Sequence, residues 1–583
     1  MGTLCIYWLV VIMAWTATCS PMSTSRNRLS RPASGPEDFL VMPSGMSGSL
    51  LCLECQTLLA ALQQEVVVGV PYEDLVAEGI IGCAAATSMT LEYCQGYIPL
   101  VAPIVYHLLS NGTVDPKDAC GEVLSSLGCT SDNPNRDWTV TIQGDKPEPM
   151  PITPPDVNSP VMKVLHFSDT HMDPYYQPGS NANCPEPLCC RNSSGPVENE
   201  GDGAWYWGDL RGCGTPPWLI TNMLQHITNT HQDISYVIWT GDIVPHSMWL
   251  TSVESNLQII KETYGIFRSF FPDTLFFPVV GNHEANPLDM FPAPGQAPSE
   301  LATDWLYEEL MRQWVDLLPA DQVANSTILK GGYYSVLLKP GFRIITVNNL
   351  WGYSNNLWLV QDSQDPGDEL TWLEDELNKA EEAGELVHLL GHIPPGLTLV
   401  EPTWTREYNR IINRYENTIR AQFFGHTHTD EFEVFYDGDR PMSVGYIAPS
   451  QTTWDYYNPG YRVYTVEDQH DETTWSIIDY ENWIMNLTEA HEIGSPRWFE
   501  LYSAKEEYNM EALQPTDWDD LATRMSTDRQ LFDKYFKNYV KASEHFLTEG
   551  CDDLCYKERL CDMVTTDRNN MEKCNQLIGG MTV

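Results

Sequence analysis

Five short strings of metal-binding residues, each set behind an apolar run, constrain this chain more than any other feature. The strings are Asp169-Thr-His171, Gly241-Asp242, Gly281-Asn282-His283-Glu284, Gly391-His392 and Gly425-His426-Thr-His428. The runs before them cover residues 161–167, 236–240, 275–280, 385–390 and 421–424. Asp169, His171, Asp242, Asn282, His392, His426 and His428 together offer two carboxylates, one amide oxygen and four imidazoles. Such a set holds two borderline-soft divalent ions side by side, one aspartate bridging them. Two ions about 4 Å apart suit the cleavage of phosphate esters.

The N-terminus points to the secretory route. An apolar run from Leu4 to Trp15 followed by Ala17-Thr-Cys-Ser20 has the layout of a signal peptide over 1–20. No later stretch is long and apolar enough to span a membrane. Setting Cys5 and Cys19 aside, 14 of the 16 cysteines remain, an even number. They fall into three groups: Cys52, Cys55, Cys83, Cys94, Cys120 and Cys129; Cys184, Cys189, Cys190 and Cys213; Cys551, Cys555, Cys561 and Cys574. In an oxidising compartment these are disulfides rather than thiolate metal ligands. Asn111, Asn192, Asn325 and Asn486 sit in glycosylation acceptor strings. A net charge of −47, from 33 basic and 80 acidic residues, excludes nucleic acid as a partner. It also opposes docking on anionic membranes at neutral pH, an objection that weakens as carboxylates protonate. An acidic workplace such as the lysosome, or the extracellular space, is the expected location of a soluble monomer.

The remaining sequence divides at changes of pattern. Residues 21–48 read as a flexible lead-in. Residues 49–132 read as a helical unit, with Cys52, Cys55, Leu59, Leu62 and Val66 on one helical face and Cys94, Ile98, Val101, Val105 and Leu108 on another. So small a unit relies on disulfides for stability. Pro147, Pro149, Pro151, Pro154, Pro155 and Pro160 make 133–160 a semi-rigid spacer. From 161 to 489 apolar strands, including 342–347, alternate with amphipathic stretches at 217–230, 252–270, 304–317 and 368–383, the pattern of a layered α/β domain. Residues 490–583 read as a helical C-terminal domain with no chemistry of its own.

The cysteine spacing over 49–132 resembles the saposin family. That resemblance implies the pairs Cys52–Cys129, Cys55–Cys120 and Cys83–Cys94, out of fifteen connectivities that six cysteines allow. The five strings, in their order, resemble the calcineurin-like metallophosphoesterases. The resemblance implies a layered sandwich in which Asp169, His171 and His428 take one ion, Asn282, His392 and His426 the other, and Asp242 bridges. An alkoxide leaving from phosphorus needs a proton. His283, next to Asn282, is the first candidate to supply it, and His246, four residues past Asp242, the second. His166 and His388 lie inside strand runs and read as structural. Two zinc ions per chain are the expected cofactor. Iron is disfavoured because Gly241-Asp242-Ile-Val-Pro245 lacks the tyrosine that purple acid phosphatases carry after the bridging aspartate.

Helical module, proline linker, phosphoesterase domain and cysteine-bearing tail together resemble the acid sphingomyelinase family. So do the local strings His392-Ile-Pro-Pro-Gly396, Arg414-Tyr-Glu-Asn417, Asp430-Glu-Phe-Glu-Val-Phe-Tyr436 and Asn458-Pro-Gly-Tyr-Arg-Val-Tyr464. The similarity implies hydrolysis of sphingomyelin to ceramide and phosphocholine, with the saposin-like module engaging the lipid membrane. A choline head is a quaternary ammonium, which aromatic faces and acidic groups hold; Trp454, Tyr456, Tyr457 and Asp289 are the candidate contacts. The family often carries a further disulfide from near Gly352 to the loop after Pro395, and this chain has no cysteine at either place. Two alternatives remain: a secreted nucleotide or phosphodiester hydrolase of the sphingomyelinase-like group, and a catalytically weak lipid-binding protein.

Overall fold

A computed structural model describes residues 48–579, apart from residues 88, 113, 126–127, 152–158 and 320–324. The expected signal peptide, nearly all of the lead-in, Pro154, Pro155 and the side chain of Asn325 lie outside the described residues. Four helices open the described residues: α1 (Gly48–Val68), α2 (Tyr72–Ala86), α3 (Leu91–Ser110) and α4 (Pro116–Val123). Local chemistry starts them. Thr90 caps α3 by accepting from the Tyr93 N–H, and Asp115 caps α4 from the N–H groups of Lys117 and Asp118. Bonds Cys52–Cys129, Cys55–Cys120 and Cys83–Cys94 cross-link them. Leu58, Leu59, Leu62, Ile98, Val101, Ile104 and Leu108 fill the small core between the helices. Contrary to the expectation that no later stretch is long and apolar enough to cross a bilayer, Leu50–Val68 is so by length and composition among the described residues, though its Leu58, Leu59 and Leu62 pack into the module's core.

Two mixed six-stranded sheets follow. The first runs in the order β12 (Trp498–Ser503), β11 (Ile477–Met485), β10 (Gly460–Glu467), β1 (Val161–Phe167), β2 (Ile234–Trp239), β3 (Leu275–Pro278). The second runs β4 (Tyr334–Lys339), β5 (Phe342–Thr346), β6 (Leu386–Leu390), β7 (Ile419–Phe424), β9 (Arg440–Ile447), β8 (Glu431–Asp437). Strands β1, β2 and β3 are parallel, as are β5, β6, β7 and β9. The inner faces meet through aromatic rings: Phe423 of β7 lies 5.1 Å from Tyr464 of β10, and Tyr446 of β9 lies 5.8 Å from the same ring. Helices cover the outer faces. Among them α5 (Pro217–Thr230) and α6 (Val253–Phe270) lie over the first sheet, where Phe267 stacks on Trp239 at 4.2 Å. The six candidate strands and four candidate helices all form, with ends shifted by three residues at most.

Two further expectations need correction. A boundary at 489 cuts the first sheet, because β12 pairs antiparallel with β11 from Glu481↔Ser503 to Met485↔Trp498. Strand β12 lies at the sheet edge, six residues long with only Trp498 and Tyr502 buried, and flanking helices mask so short a signal. The expected spacer is instead strapped down along its first half. Trp138 and Val140 are buried, the Val140 N–H donates to Glu407, Gln143 bonds Glu374, and Lys146 pairs with Glu416 and Asp437. Those side-chain partners lie more than 200 residues away in sequence, beyond the reach of local composition.

The helical module rests directly on the α/β body. Leu188, Met248, Trp249, Leu288, Met290, Leu357 and Trp358 join its apolar cluster. Arg136 clamps the contact, pairing with Asp118 and Glu122 of α4 and donating to the carbonyls of Leu359 and Val360.

Candidate metal centre

The parallel strands aim their carboxyl ends at one place, as open α/β sheets do. Asp169 follows β1, Asp242 follows β2, Asn282 follows β3, His392 follows β6 and His426 follows β7. Five of the seven candidate ligands take left-handed backbone: Asp169 (φ 51), His171 (φ 42), Asp242 (φ 59), His426 (φ 72) and His428 (φ 61). Non-glycine residues rarely hold this conformation, and where they do the surroundings must enforce it. Here the Asp169 N–H donates to the Gly241 carbonyl and the His171 N–H to that of Asp242, so the two loops brace each other. Gly241 and Gly281 are needed where these loops cross: a Cβ at Gly241 would lie 2.7 Å from the Gly281 nitrogen.

All seven candidate ligands are buried, and they gather in two groups about Asp242. On one side the His171 Nε2 lies 3.1 Å from His428 Nε2 and 3.5 Å from Asp242 Oδ2, with Asp169 Oδ1 3.7 Å from His428 Nε2. On the other the His392 Nε2 lies 2.9 Å from Asn282 Oδ1 and 3.4 Å from Asp242 Oδ2, and His426 Nδ1 lies 3.2 Å from both Asn282 Oδ1 and His392 Nε2. Donor atoms of Asp242, His392 and His426 lie within 4.8 Å of one another.

The proton arrangement tests whether cations belong there. The His171 Nδ1 is 2.7 Å from the Val244 carbonyl and the His392 Nδ1 is 2.5 Å from that of Thr240. A carbonyl only accepts, so both Nδ1 atoms carry the proton and both Nε2 atoms present lone pairs. The Asn282 amide donates through Nδ2 to Asp289 at 2.9 Å, which turns its oxygen inward. Lone pairs of nitrogen, amide and carboxylate oxygen therefore converge on each other, an arrangement that positive charge between them satisfies. Electrostatics agree. Burial works against the charge on Asp242, but His392, His283 and His171 hold its carboxyl well below the usual range. Burial works against charge on His392 too, yet Asp242 and Asp169 push it up to about 10. The carboxylates thus draw positive charge to its Nε2, as a proton or as a cation that takes the proton's place and uses the lone pair. The residues present fit two divalent ions.

Both proton-donor candidates are in the cluster. The His283 ring lies 4.6 Å from that of His171 and 4.7 Å from that of His246, and the His283 backbone N–H donates to Asp242 Oδ1. His246 is buried with neither ring nitrogen bonded, stacked on Trp454 at 4.3 Å. Burial, then the neighbouring His171, His283 and His428, keep His246 well below its ordinary 6.5. His166 bonds Tyr464 and Thr240, and His388 bonds the Trp475 carbonyl, so both serve structure.

Of the four expected head-group contacts, Trp454 stacks on His246 at the site. Tyr457 is fully buried against Phe546, Tyr456 stacks on His545 at 3.9 Å, and Asp289 orients Asn282. Their proximity in sequence to site residues does not fix the side from which each turn presents its side chain. Asn111 and Asn192 are exposed, whereas Asn486 caps a helix through the Glu489 N–H. The remaining cysteines join as Cys184–Cys189, Cys190–Cys213, Cys551–Cys555 and Cys561–Cys574.

Two supporting residues escape sequence reasoning. Glu284 accepts from the N–H groups of Gly281, Asp242 and Ile243, tying two ligand loops together. The Asn349 Oδ1 accepts from the N–H groups of His392 and Ile393 at 3.1 Å. Its only signal is that it follows strand β5, as the ligands follow theirs.

Residues 162–430 match the family described as Calcineurin-like phosphoesterase, and residues 443–578 match Acid sphingomyelin phosphodiesterase C-terminal region. The chain is 38% identical over 490 residues to Sphingomyelin phosphodiesterase of Bos taurus, covering 83% of this chain and 77% of that one. It is 35% identical to Sphingomyelin phosphodiesterase of Homo sapiens, covering 91% of this chain and 84% of that one. Acid sphingomyelinase-like phosphodiesterase 3b of Homo sapiens is 30% identical over 71% of this chain and 90% of its own.

Proposed function

Since the chain belongs to the sphingomyelin phosphodiesterase family, we propose that it hydrolyses sphingomyelin to ceramide and phosphocholine at acidic pH, using two zinc ions. The observation that carries this reading is the pair of lone-pair clusters facing each other across Asp242. Asp169, His171 and His428 would hold one ion, and Asn282, His392 and His426 the other, with Asp242 between. Ions seated there would acidify a water and neutralise charge on the phosphoryl oxygens. Imidazole and oxygen donors without a thiolate support zinc, and Pro245 in place of a tyrosine argues against ferric iron.

The chain's own side chains supply the rest. Asp242 is held ionised, and Asp289 and Asn349 keep Asn282 and His392 turned inward. His283 donates a proton to the departing ceramide oxygen; His246 beside it, kept uncharged by burial and its neighbours, is the poorer of the two donor candidates. Trp454, flat against His246, presents a ring at the same place and is the surviving aromatic contact for the choline head.

Access to a bilayer falls to the saposin-like module. Leu50, Leu53, Val67, Val68, Ile81 and Leu91 expose apolar side chains on it. It holds nine acidic residues against Lys117 between Cys52 and Cys129, so it engages membranes best once carboxylates are neutralised. That preference for acidity supports a location in lysosomes, with the extracellular space as the other.

The experiment is a substrate panel at pH 5 and pH 7.5, with and without added zinc. Phosphocholine release from sphingomyelin vesicles, greatest at pH 5, is the expected result. Brisk cleavage of nucleoside triphosphates with sphingomyelin untouched would replace this reading with a nucleotide hydrolase. Lipid transfer without any phosphocholine release would replace it with a lipid-binding protein.

A further inference from the structure

One buried cation near the centre has no place in the chemistry above. Lys541, just past the helix Arg529–Tyr539, is 1% exposed and sits in left-handed backbone (φ 52). Burying an ammonium group is costly unless its donors are used. No carboxylate among the described residues lies within ion-pair distance of it. Its Nζ donates instead to Ser450, at 2.6 Å to Oγ and 3.2 Å to the carbonyl oxygen. The Tyr457 ring lies 5.0 Å from the ammonium group, and the Lys541 carbonyl accepts from the Asn458 side chain.

Ser450 is the hinge pin of a segment stitched to two ligand loops. Its hydroxyl lies 3.3 Å from the carbonyl of His428. The next two residues bond the loop after β1: the Gln451 N–H to the Ser168 carbonyl at 3.0 Å, and the Thr452 N–H to the Asp169 carbonyl at 3.0 Å. The Thr170 hydroxyl returns a bond to Gln451 Oε1 at 2.7 Å. Two residues before Lys541, the helix end also holds the other loop, since the Tyr539 carbonyl accepts from the Asp430 N–H.

We propose that Lys541 is a positioning residue of the metal centre: by anchoring Ser450 it fixes the loops that carry Asp169 and His428. This rests on the two-ion reading of the site and gives the C-terminal region a part in it. Asp169 and His428 both hold strained backbone, so their geometry depends on such outside bonds. Ser450 contributes position without charge, which separates this role from a purely electrostatic one.

The test is zinc binding to chelated full-length protein by calorimetry, comparing wild type, Ser450→Ala and Lys541→Met, with folding checked by circular dichroism. Ser450→Ala is expected to weaken one of two zinc sites at least threefold and leave the other within twofold. Lys541→Met is expected to weaken the same site at least tenfold, with kcat on a soluble phosphodiester falling and KM within twofold. Zinc affinities within twofold of wild type, or tighter, in folded Ser450→Ala overturn the proposal, and that arm decides if Lys541→Met does not fold. Wild-type protein that binds fewer than two zinc ions contradicts the two-ion reading itself, a separate result.

Discussion

At the scale of single residues, position in sequence and direction in space separate most clearly at Asp289. Its spacing from Asn282 suggests a pocket wall, but its carboxylate accepts from the Asn282 amide and fixes which atom faces the ions. Partners of metal ligands typically contribute 10- to 100-fold. Asp289→Ala should therefore lower kcat on sphingomyelin and on a soluble chromogenic phosphodiester alike, by about 10- to 100-fold. A loss confined to sphingomyelin, seen as a raised KM, would return Asp289 to the head-group site. The same substrates identify the proton donor. An activated phenol leaves without help whereas an alkoxide does not. His283→Asn should cut sphingomyelin turnover by about 100-fold or more and barely touch a nitrophenyl diester. An equal loss on both would make His283 structural. That the seven candidate ligands gather at one place was legible because each lies in a loop after an apolar strand that fixes where it goes. Tyr456 and Tyr457 were not, because a turn with left-handed Asp455 and Tyr456 decides which ring faces outward, and local sequence does not state it.

At the scale of elements, the contact between α3, α4 and the α/β body decides how the module is held. Gly96 of α3 passes so close to the body that a Cβ there would lie 2.2 Å from the Trp249 carbonyl oxygen. Overpacking of this kind typically costs about 1–3 kcal/mol. Gly96→Ala should loosen the module, reducing turnover on vesicles more than on a soluble diester; equal effects would show that the contact serves stability alone. Glu122 makes the same contact pH-dependent. Burial, then Glu401, push its carboxyl from an ordinary 4.5 up to about 8, while Arg136 opposes the rise and Asp118 adds to it. The docked state thus takes up a proton that the solvated carboxyl gives up. Docking is strongest below pH 4.5 and weakens as pH rises through about 8. Small-angle scattering should show the molecule expanding between pH 5 and 8, and Glu122→Gln should remove that change. An unchanged profile in the variant would assign the expansion elsewhere. None of this was readable from cysteine spacing, which reveals a cross-linked helical unit but not the surface it rests on.

At the scale of the whole molecule, the parallel strands other than β9 were legible because each is an apolar run bounded by turns. Strand β9, parallel to β7, and the antiparallel additions β4, β8, β10, β11 and β12 complete the sheets and carry fewer local marks. The C-terminal region hid its part for the same reason: β12 and Lys541 act through partners distant in sequence. What unites the molecule is a site assembled from loops of both sheets, with Asp242 at its middle. The most direct test of that claim is to strip the purified protein with a chelator and titrate zinc back, measuring bound metal and phosphocholine release together. Activity returning only as the second ion per chain binds, and Asp242→Asn holding neither ion firmly nor releasing phosphocholine, is the predicted result. Full activity in the metal-free protein, or in Asp242→Asn, would contradict it.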